Sequence, residues 1–291
     1  MTPVDEPLEL SAPLAWRLAP QLCRKDPSTG VSCAWSHGIW QYLRLLGLIG
    51  SMELRSGFYL RTLAAAAAAA AVPRVLISGA ADYAMLALVL ASMREAGRAP
   101  AVTVTDLCET PLMLNRWYAD RAGCAIVTRQ CDILGYPADA PFDVVCTDSF
   151  IGRFAPAQRP ALFAKWRTLL RPGGVVITQT RLRPGGGAER VGFSAEQAQK
   201  LRDNALHAAK RLGDKLGVEP EELARCAAVY AAHHFTYPVR AADEIRAQLE
   251  PAGFKMDVLA TATVGADASG AASGPSTRAG GEFLDIVARA V

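Results

Sequence analysis

Ser78-Gly79-Ala80-Ala81-Asp82 is a run of small residues closed by an acid, and a second acid, Asp106, ends the next strand-like segment. A turn without bulky side chains lets a ligand approach the backbone, and the helix that follows offers unbonded N–H groups at its start. An acid at the end of the neighbouring strand falls where ribose hydroxyls would donate. The pair suits an adenosine-type ligand. The elements that must position it are a buried strand, Arg74-Val75-Leu76-Ile77, an apolar helix after Tyr83, and a second strand, Val102-Thr103-Val104-Thr105-Asp106.

The alternation continues downstream. A helix is predicted over 110–122 and a strand over 125–129, followed by Cys131-Asp132-Ile133. Phe142-Asp143-Val144-Val145-Cys146-Thr147-Asp148 reads as a strand and 156–170 as a helix; Leu170-Arg171-Pro172-Gly173-Gly174 is a turn before a strand at 175–180. In this order and spacing the chain resembles the class I S-adenosylmethionine-dependent methyltransferases, motif by motif over 74–180 and more loosely over 237–291. Where most members carry a Gly-x-Gly turn after an acid, this chain has Ser78-Gly79-Ala80-Ala81-Asp82.

The resemblance implies an α/β fold: a Rossmann-like, seven-stranded, mostly parallel sheet with helices on both faces, plus a helical N-terminal segment and a helical insertion. It implies S-adenosyl-L-methionine as cofactor. Carried over by residue, Ser78, Gly79, Ala80 and Asp82 would face its methionine portion and Asp106 its ribose. Asp132 would meet the adenine amine, with Ile133 against the ring, and Leu107 and Thr147 complete the set.

Methyl transfer to a hydroxyl or ring amine is helped by a proton acceptor, and histidine titrates nearest neutrality. His37, His233 and His234 are the candidates, with Asp148 as a rival because it closes the fourth strand at the ligand-binding edge; Asp148 and His233 are placed nearest the acceptor. An acceptor that is already nucleophilic would need only alignment. His233 and His234 are adjacent, so both are not expected to face inward from one helix or strand. Arg153, Arg181 and Arg183 fall near the same edge and could receive a carboxylate or phosphate; Arg183, ahead of Pro184-Gly185-Gly186-Gly187, is expected in solvent. No metal site is expected. Asp148 is followed by Ser149, with Gln179 and Thr180 on the next strand, too few carboxylates for a divalent cation.

The net charge of +3 carries no dense basic block, which argues against nucleic acid as a partner. No apolar run is long enough to span a bilayer and no secretory leader is read at the N-terminus. The seven cysteines lack paired or regular spacing; several fall in apolar strand-like contexts and read as small hydrophobes, and a reducing cytoplasm is expected.

Two segments flank the cofactor unit and should determine the acceptor. In 1–72, Trp16, Trp35, His37, Trp40, Tyr42, Phe58 and Tyr59 collect; an amphipathic helix is predicted over 36–48 with Ser36 as its cap, and His37, Trp40 and Tyr59 are pocket candidates. The alanine run 64–71 should extend the preceding helix to Val72-Pro73. Segment 193–236 reads as two helices, 194–216 and 220–233, the first opened by a Ser194/Gln197 capping box. The expected organisation is a cap at 1–72, a cofactor-binding core at 73–192, a lid at 193–236 and the rest of the core at 237–291. Within that last part, strands at 258–264 and 282–289 flank a Gly/Ala/Ser-rich connection, 265–281, expected to be disordered at its tip.

The expected activity is methyl transfer to a small aromatic or heteroaromatic metabolite by in-line displacement, without nucleic-acid or membrane partners, and with a homodimer left open. An NAD(P)-dependent oxidoreductase and a non-catalytic S-adenosylmethionine-binding protein are the alternatives. The first would account for Gly79 and Asp106, but not for the Pro-Gly-Gly turn or the reversed final strands.

Overall fold

Every residue from Val75 to Ser78 is buried, as it must be in a strand covered on both faces. The computed structural model describes residues 4–25, 30–50, 55–185, 187–264 and 281–291. Helices α1 (Leu8–Leu22), α2 (Ala34–Leu45) and α3 (Ser56–Ala67) lead into β1 (Arg74–Ser78), α4 (Ala84–Glu95), β2 (Ala101–Asp106), α5 (Glu109–Arg121) and β3 (Ile126–Gln130). Then come β4 (Phe142–Asp148), α6 (Arg159–Leu169) and β5 (Leu170–Arg181). The insertion supplies β6 (Val191–Gly192), α7 (Ala195–Leu212), α8 (Pro220–His233) and β7 (Phe235–Thr236) before α9 (Ala242–Leu249), β8 (Phe254–Val264) and β9 (Gly281–Ala290).

Seven strands form one sheet in the order β3-β2-β1-β4-β5-β9-β8. The first five run parallel, and β9 is antiparallel to both β5 and β8. The expected α/β architecture is therefore present, but of the final pair only β9 is reversed, since β8, antiparallel to β9, runs with the parallel strands. Alternation along β1 divides the core: Val75 and Ile77 pack with Tyr59, Leu63, Leu86 and Leu112 from α3, α4 and α5. Leu76 faces the other way, with Leu162, Trp166 and Ile245 from α6 and α9.

A third apolar cluster lies outside the sheet. Ala12, Ile39, Tyr42 and Leu43 from α1 and α2 pack with Leu201, Ala205, Leu223 and Ala227 from α7 and α8. The two flanking segments thus share a core. The Tyr42 hydroxyl fastens it by donating to the carbonyl of Leu216 at 2.6 Å.

Some local expectations are corrected. Cys33, not Ser36, is the N-cap of α2, and Ser36 lies within the helix. Helix α3 ends at Ala67, short of the predicted Val72-Pro73, despite the alanines that follow. The Ser194/Gln197 capping box is present on α7, with Gln197 N–H donating to Ser194 Oγ at 3.2 Å. The connection 265–280 lies outside the described residues.

Candidate active site

The turn after β1 is built around Gly79, whose φ of +77° lies where a side chain is strained. A Cβ there would also stand 2.6 Å from Cδ2 and 2.9 Å from Cζ of Phe150. Phe150 reaches this position because Ser149, between it and β4, adopts a φ of 52°. Asp106 fixes the turn from the neighbouring strand: Oδ2 accepts the Ala80 N–H at 3.0 Å and Oδ1 the Cys108 N–H at 2.8 Å. Burial raises the Asp106 pKa, with His37 and the two backbone donors opposing the shift.

A cavity of about 970 Å³ opens beside this turn. Gly79, Ala80, Asp82, Asp106, Leu107, Asp132 and Ile133 all line it. Two other predicted cofactor residues do not. Ser78 is fully buried and its Oγ accepts the Trp166 indole N–H at 3.0 Å, because the residue before the turn still alternates toward α6. Thr147 is likewise buried away from the cavity.

Asp82 lines the cavity but is heavily engaged. Arg44 Nη1 donates to its Oδ2 at 2.6 Å and Trp40 Nε1 to the same oxygen at 2.9 Å, while Oδ1 accepts the Ala84 N–H at 2.7 Å. Its carboxylate joins α2 to the cofactor turn. Asp132 Oδ1 accepts the Leu134 N–H at 2.9 Å, opening the 3-10 turn at Ile133–Gly135.

The proton-acceptor candidates separate clearly. Asp148 accepts two bonds from Arg55, at 2.6 and 2.7 Å, and lies 2.9 Å from the Tyr59 hydroxyl. That hydroxyl also accepts the Gln179 N–H at 2.9 Å, so Tyr59 braces β4 and β5 and is a core residue, not a pocket wall. His37 is also drawn elsewhere, its Nδ1 lying 3.4 Å from Cys23 Sγ. Burial acts to lower the His37 pKa, but hydrogen bonds with Cys108 and Cys33 and the charges of Cys108 and Asp106 outweigh it and raise it to about 10. At neutral pH that imidazole already holds its proton. The cysteines around it are not isolated apolar fillers, since Cys33 and Cys108 are 3.5 Å apart.

His233 and His234 both line the cavity, because α8 ends between them and the chain turns extended. His233 lies against Trp35, with ring centroids 5.4 Å apart. His234 stacks on Tyr230 at 4.8 Å, and burial with the nearby Arg153 charge lowers its pKa to about 3.

Arg153, Arg181 and Arg183 converge on the cavity wall, including Arg183, which the sequence places in solvent. Burial lowers the pKa of each, and Arg183 falls to about 10 under the added charges of Arg181 and Arg240. Arg153 Nη1 donates to the Phe235 carbonyl at 2.8 Å. Arg44, Arg55 and Phe150 are the site residues that sequence reasoning misses. Their partners lie 38, 93 and 71 positions away, and no local pattern marks them.

An open parallel sheet with a reversed final strand and a cavity beyond the carboxyl ends of β1, β2 and β4 defines the methyltransferase class of α/β fold. Residues 86–174 match the family model described as "Methyltransferase domain". That stretch, within the cofactor-binding core, is similar to the methyltransferase family, and the strand order is that of a Rossmann-like methyltransferase fold. No curated protein matches it in sequence. Among solved structures, TehB from Haemophilus influenzae is 13% identical with a TM-score of 0.48, covering 79% of this chain and 62% of its own. The 1,6-didemethyltoxoflavin-N1-methyltransferase of Burkholderia thailandensis is 19% identical with a TM-score of 0.49, covering 80% and 78%. The N-methyltransferase NodS of Bradyrhizobium japonicum is 13% identical with a TM-score of 0.47, covering 83% and 88%. The matched stretch spans about a third of this chain, and the strand order shows the fold.

The donor set fits the family's cofactor. Each Asp106 oxygen accepts one backbone N–H and keeps a further lone pair for a ribose hydroxyl. Gly79 and the two alanines after it keep the turn free of bulk on the cavity side.

Proposed function

We propose that this protein is an S-adenosylmethionine-dependent methyltransferase whose acceptor is a small aromatic molecule bearing a carboxylate or phosphate. One observation carries the reading. A single cavity brings the cofactor turn together with the rings of Trp35, Trp40 and Phe235 and with Arg153, Arg181 and Arg183. Three guanidinium groups along one wall match the charge and the oxygen geometry of a carboxylate or phosphate on the acceptor. The aromatic rings would sandwich the flat part of the same molecule.

When bound, S-adenosylmethionine supplies an electrophilic methyl carbon. Asp106 and Asp132 would hold its ribose and adenine, with Gly79 and Ala80 at the methionine end and Leu107 and Ile133 beside the base. Asp82 contributes through Arg44 and Trp40, which close α2 over the turn. His233 is the remaining candidate to take a proton from the acceptor, since Asp148 is paired with Arg55 and His37 is held among thiols. Exclusion of water would fall to the helices of the cap and insertion, which share a core and contribute Trp35, Trp40 and His233 to the cavity lining.

The test is transfer of labelled methyl from S-adenosylmethionine to a panel of aromatic acids, aromatic phosphates and matched neutral compounds. Acceptance of an anionic aromatic, with KM raised at least tenfold by Arg153→Gln and Arg181→Gln, is the expected result. Equal turnover of the neutral counterparts with unchanged KM in both variants would remove the anionic acceptor from the reading. Failure of the protein to bind S-adenosylhomocysteine would remove the reading as a whole.

A further inference from the structure

Four side chains from three places in the chain meet next to the cavity. Cys23 follows the end of α1, Cys33 caps α2, His37 lies four residues beyond it, and Cys108 caps α5. Their three sulfurs and an imidazole nitrogen all lie within 4.8 Å of one another. Cys23 Sγ is 3.4 Å from His37 Nδ1, and Cys33 Sγ is 3.5 Å from Cys108 Sγ.

We propose that Cys23, Cys33, His37 and Cys108 form a zinc site. Zinc–sulfur bonds of about 2.3 Å in a tetrahedron set sulfur–sulfur edges of about 3.8 Å, close to the spacing these side chains already have. Three thiolates and one imidazole form a soft donor set, which selects zinc over calcium or magnesium. Three thiols packed this closely resist joint ionisation; a divalent cation removes the obstacle, and on binding the thiols and the His37 imidazolium release their protons to solvent. Thr110 Oγ1 lies 3.1 Å from Cys23 Sγ, where its hydroxyl can donate to a thiolate.

Four protein ligands leave no open coordination position, which makes the site structural and not a source of activated water. It would tie the end of α1 and the start of α2 to the β2–α5 turn. That turn carries Asp106, whose Oδ1 accepts the Cys108 N–H. Zinc would therefore fasten the cap to the residue expected to hold the cofactor ribose. His37, Cys33 and Cys108 all line the cavity, which provides an entry path for the ion.

The experiment is metal analysis of the full chain purified with reductant from zinc-supplemented medium, followed by cobalt substitution of the chelator-stripped protein. About one zinc per chain and a thiolate-to-cobalt charge-transfer band with tetrahedral ligand-field absorption are expected. Cys33→Ser and His37→Gln should each lower zinc retention at least tenfold while circular dichroism is kept, and Cys124→Ser, outside the cluster, should retain zinc. If a variant fails to fold, the cobalt spectrum of the unaltered chain still decides. Zinc no higher than in Cys33→Ser without a charge-transfer band, or a Cys33–Cys108 disulfide mapped in the reduced preparation, would overturn the proposal. None of these readouts needs an acceptor or methyl transfer, so they stand apart from the proposed activity.

Discussion

Arg55 holds Asp148 with two parallel bonds of 2.6 and 2.7 Å, so the acid that closes β4 at the cavity edge is an ion-pair partner from the N-terminal segment. Asp148 is only 18% exposed and Arg55 7%. Removing one member of such a pair leaves the other charge poorly solvated. Asp148→Asn is therefore expected to cost about 2 kcal/mol of stability, read as a lower Tm. A base would behave differently, with a turnover loss of roughly 100-fold and an unchanged Tm.

Gly79→Ala should be poorly tolerated. The left-handed backbone alone costs a non-glycine residue about 1–2 kcal/mol, and the added methyl meets the Phe150 ring. Thermal denaturation should show the loss, and Phe150→Ala in the same chain should recover the steric part but not the backbone part. Full recovery would mean that the φ value is not limiting.

Asp106→Ala is expected to weaken S-adenosylhomocysteine binding by about 1.5–3 kcal/mol, the range for hydrogen bonds to a charged group. Calorimetry gives the number. Asp106→Asn should lose less, because its side-chain oxygen can still accept one of the two backbone N–H groups that Asp106 now receives.

His234 makes stability depend on pH. Burial and the Arg153 charge lower its pKa from 6.5 to about 3, whereas the unfolded chain takes up the proton near the ordinary value. Between those limits the unfolded state binds more protons, so the contribution is full above pH 6.5 and is lost as pH falls toward 3. Urea denaturation across that window should show a slope that flattens in His234→Gln. An unchanged slope would assign the effect to other groups.

Much of the fold is legible in the sequence because a parallel strand buried on both faces is written as a continuous aliphatic run. Val75 to Ile77, Val102 to Thr105 and Val144 to Cys146 all fall where such runs predict. The ends of those strands also bring Gly79, Asp106 and Asp132 to one cavity, since strand ends are fixed by the same pattern. Ser78 and Thr147 depart because residues at the end of a strand still obey alternation, which sends these two side chains, the last of β1 and the last but one of β4, inward. Arg44 and Arg55 stay hidden because an ion pair across distant elements has no spacing rule. The thiol cluster is almost as opaque. Its one local trace is Cys33 and His37, four residues apart at the start of α2 and so on one helical face, while Cys23 and Cys108 come from separate elements.

The core shared by α2 and α8 has a consequence for biosynthesis. Helices α1 and α2 leave the ribosome well before the insertion, yet Ile39, Leu43 and Tyr42 bury themselves against Leu201, Leu223 and Ala227, which follow more than 150 residues later. At about 5–20 residues per second the apolar face of α2 waits on the order of ten seconds for its partner, with the whole sheet nucleus made in between. During that interval it is a binding surface for chaperones. A chain truncated before α7 would keep that face exposed and is expected to be less soluble than the full chain.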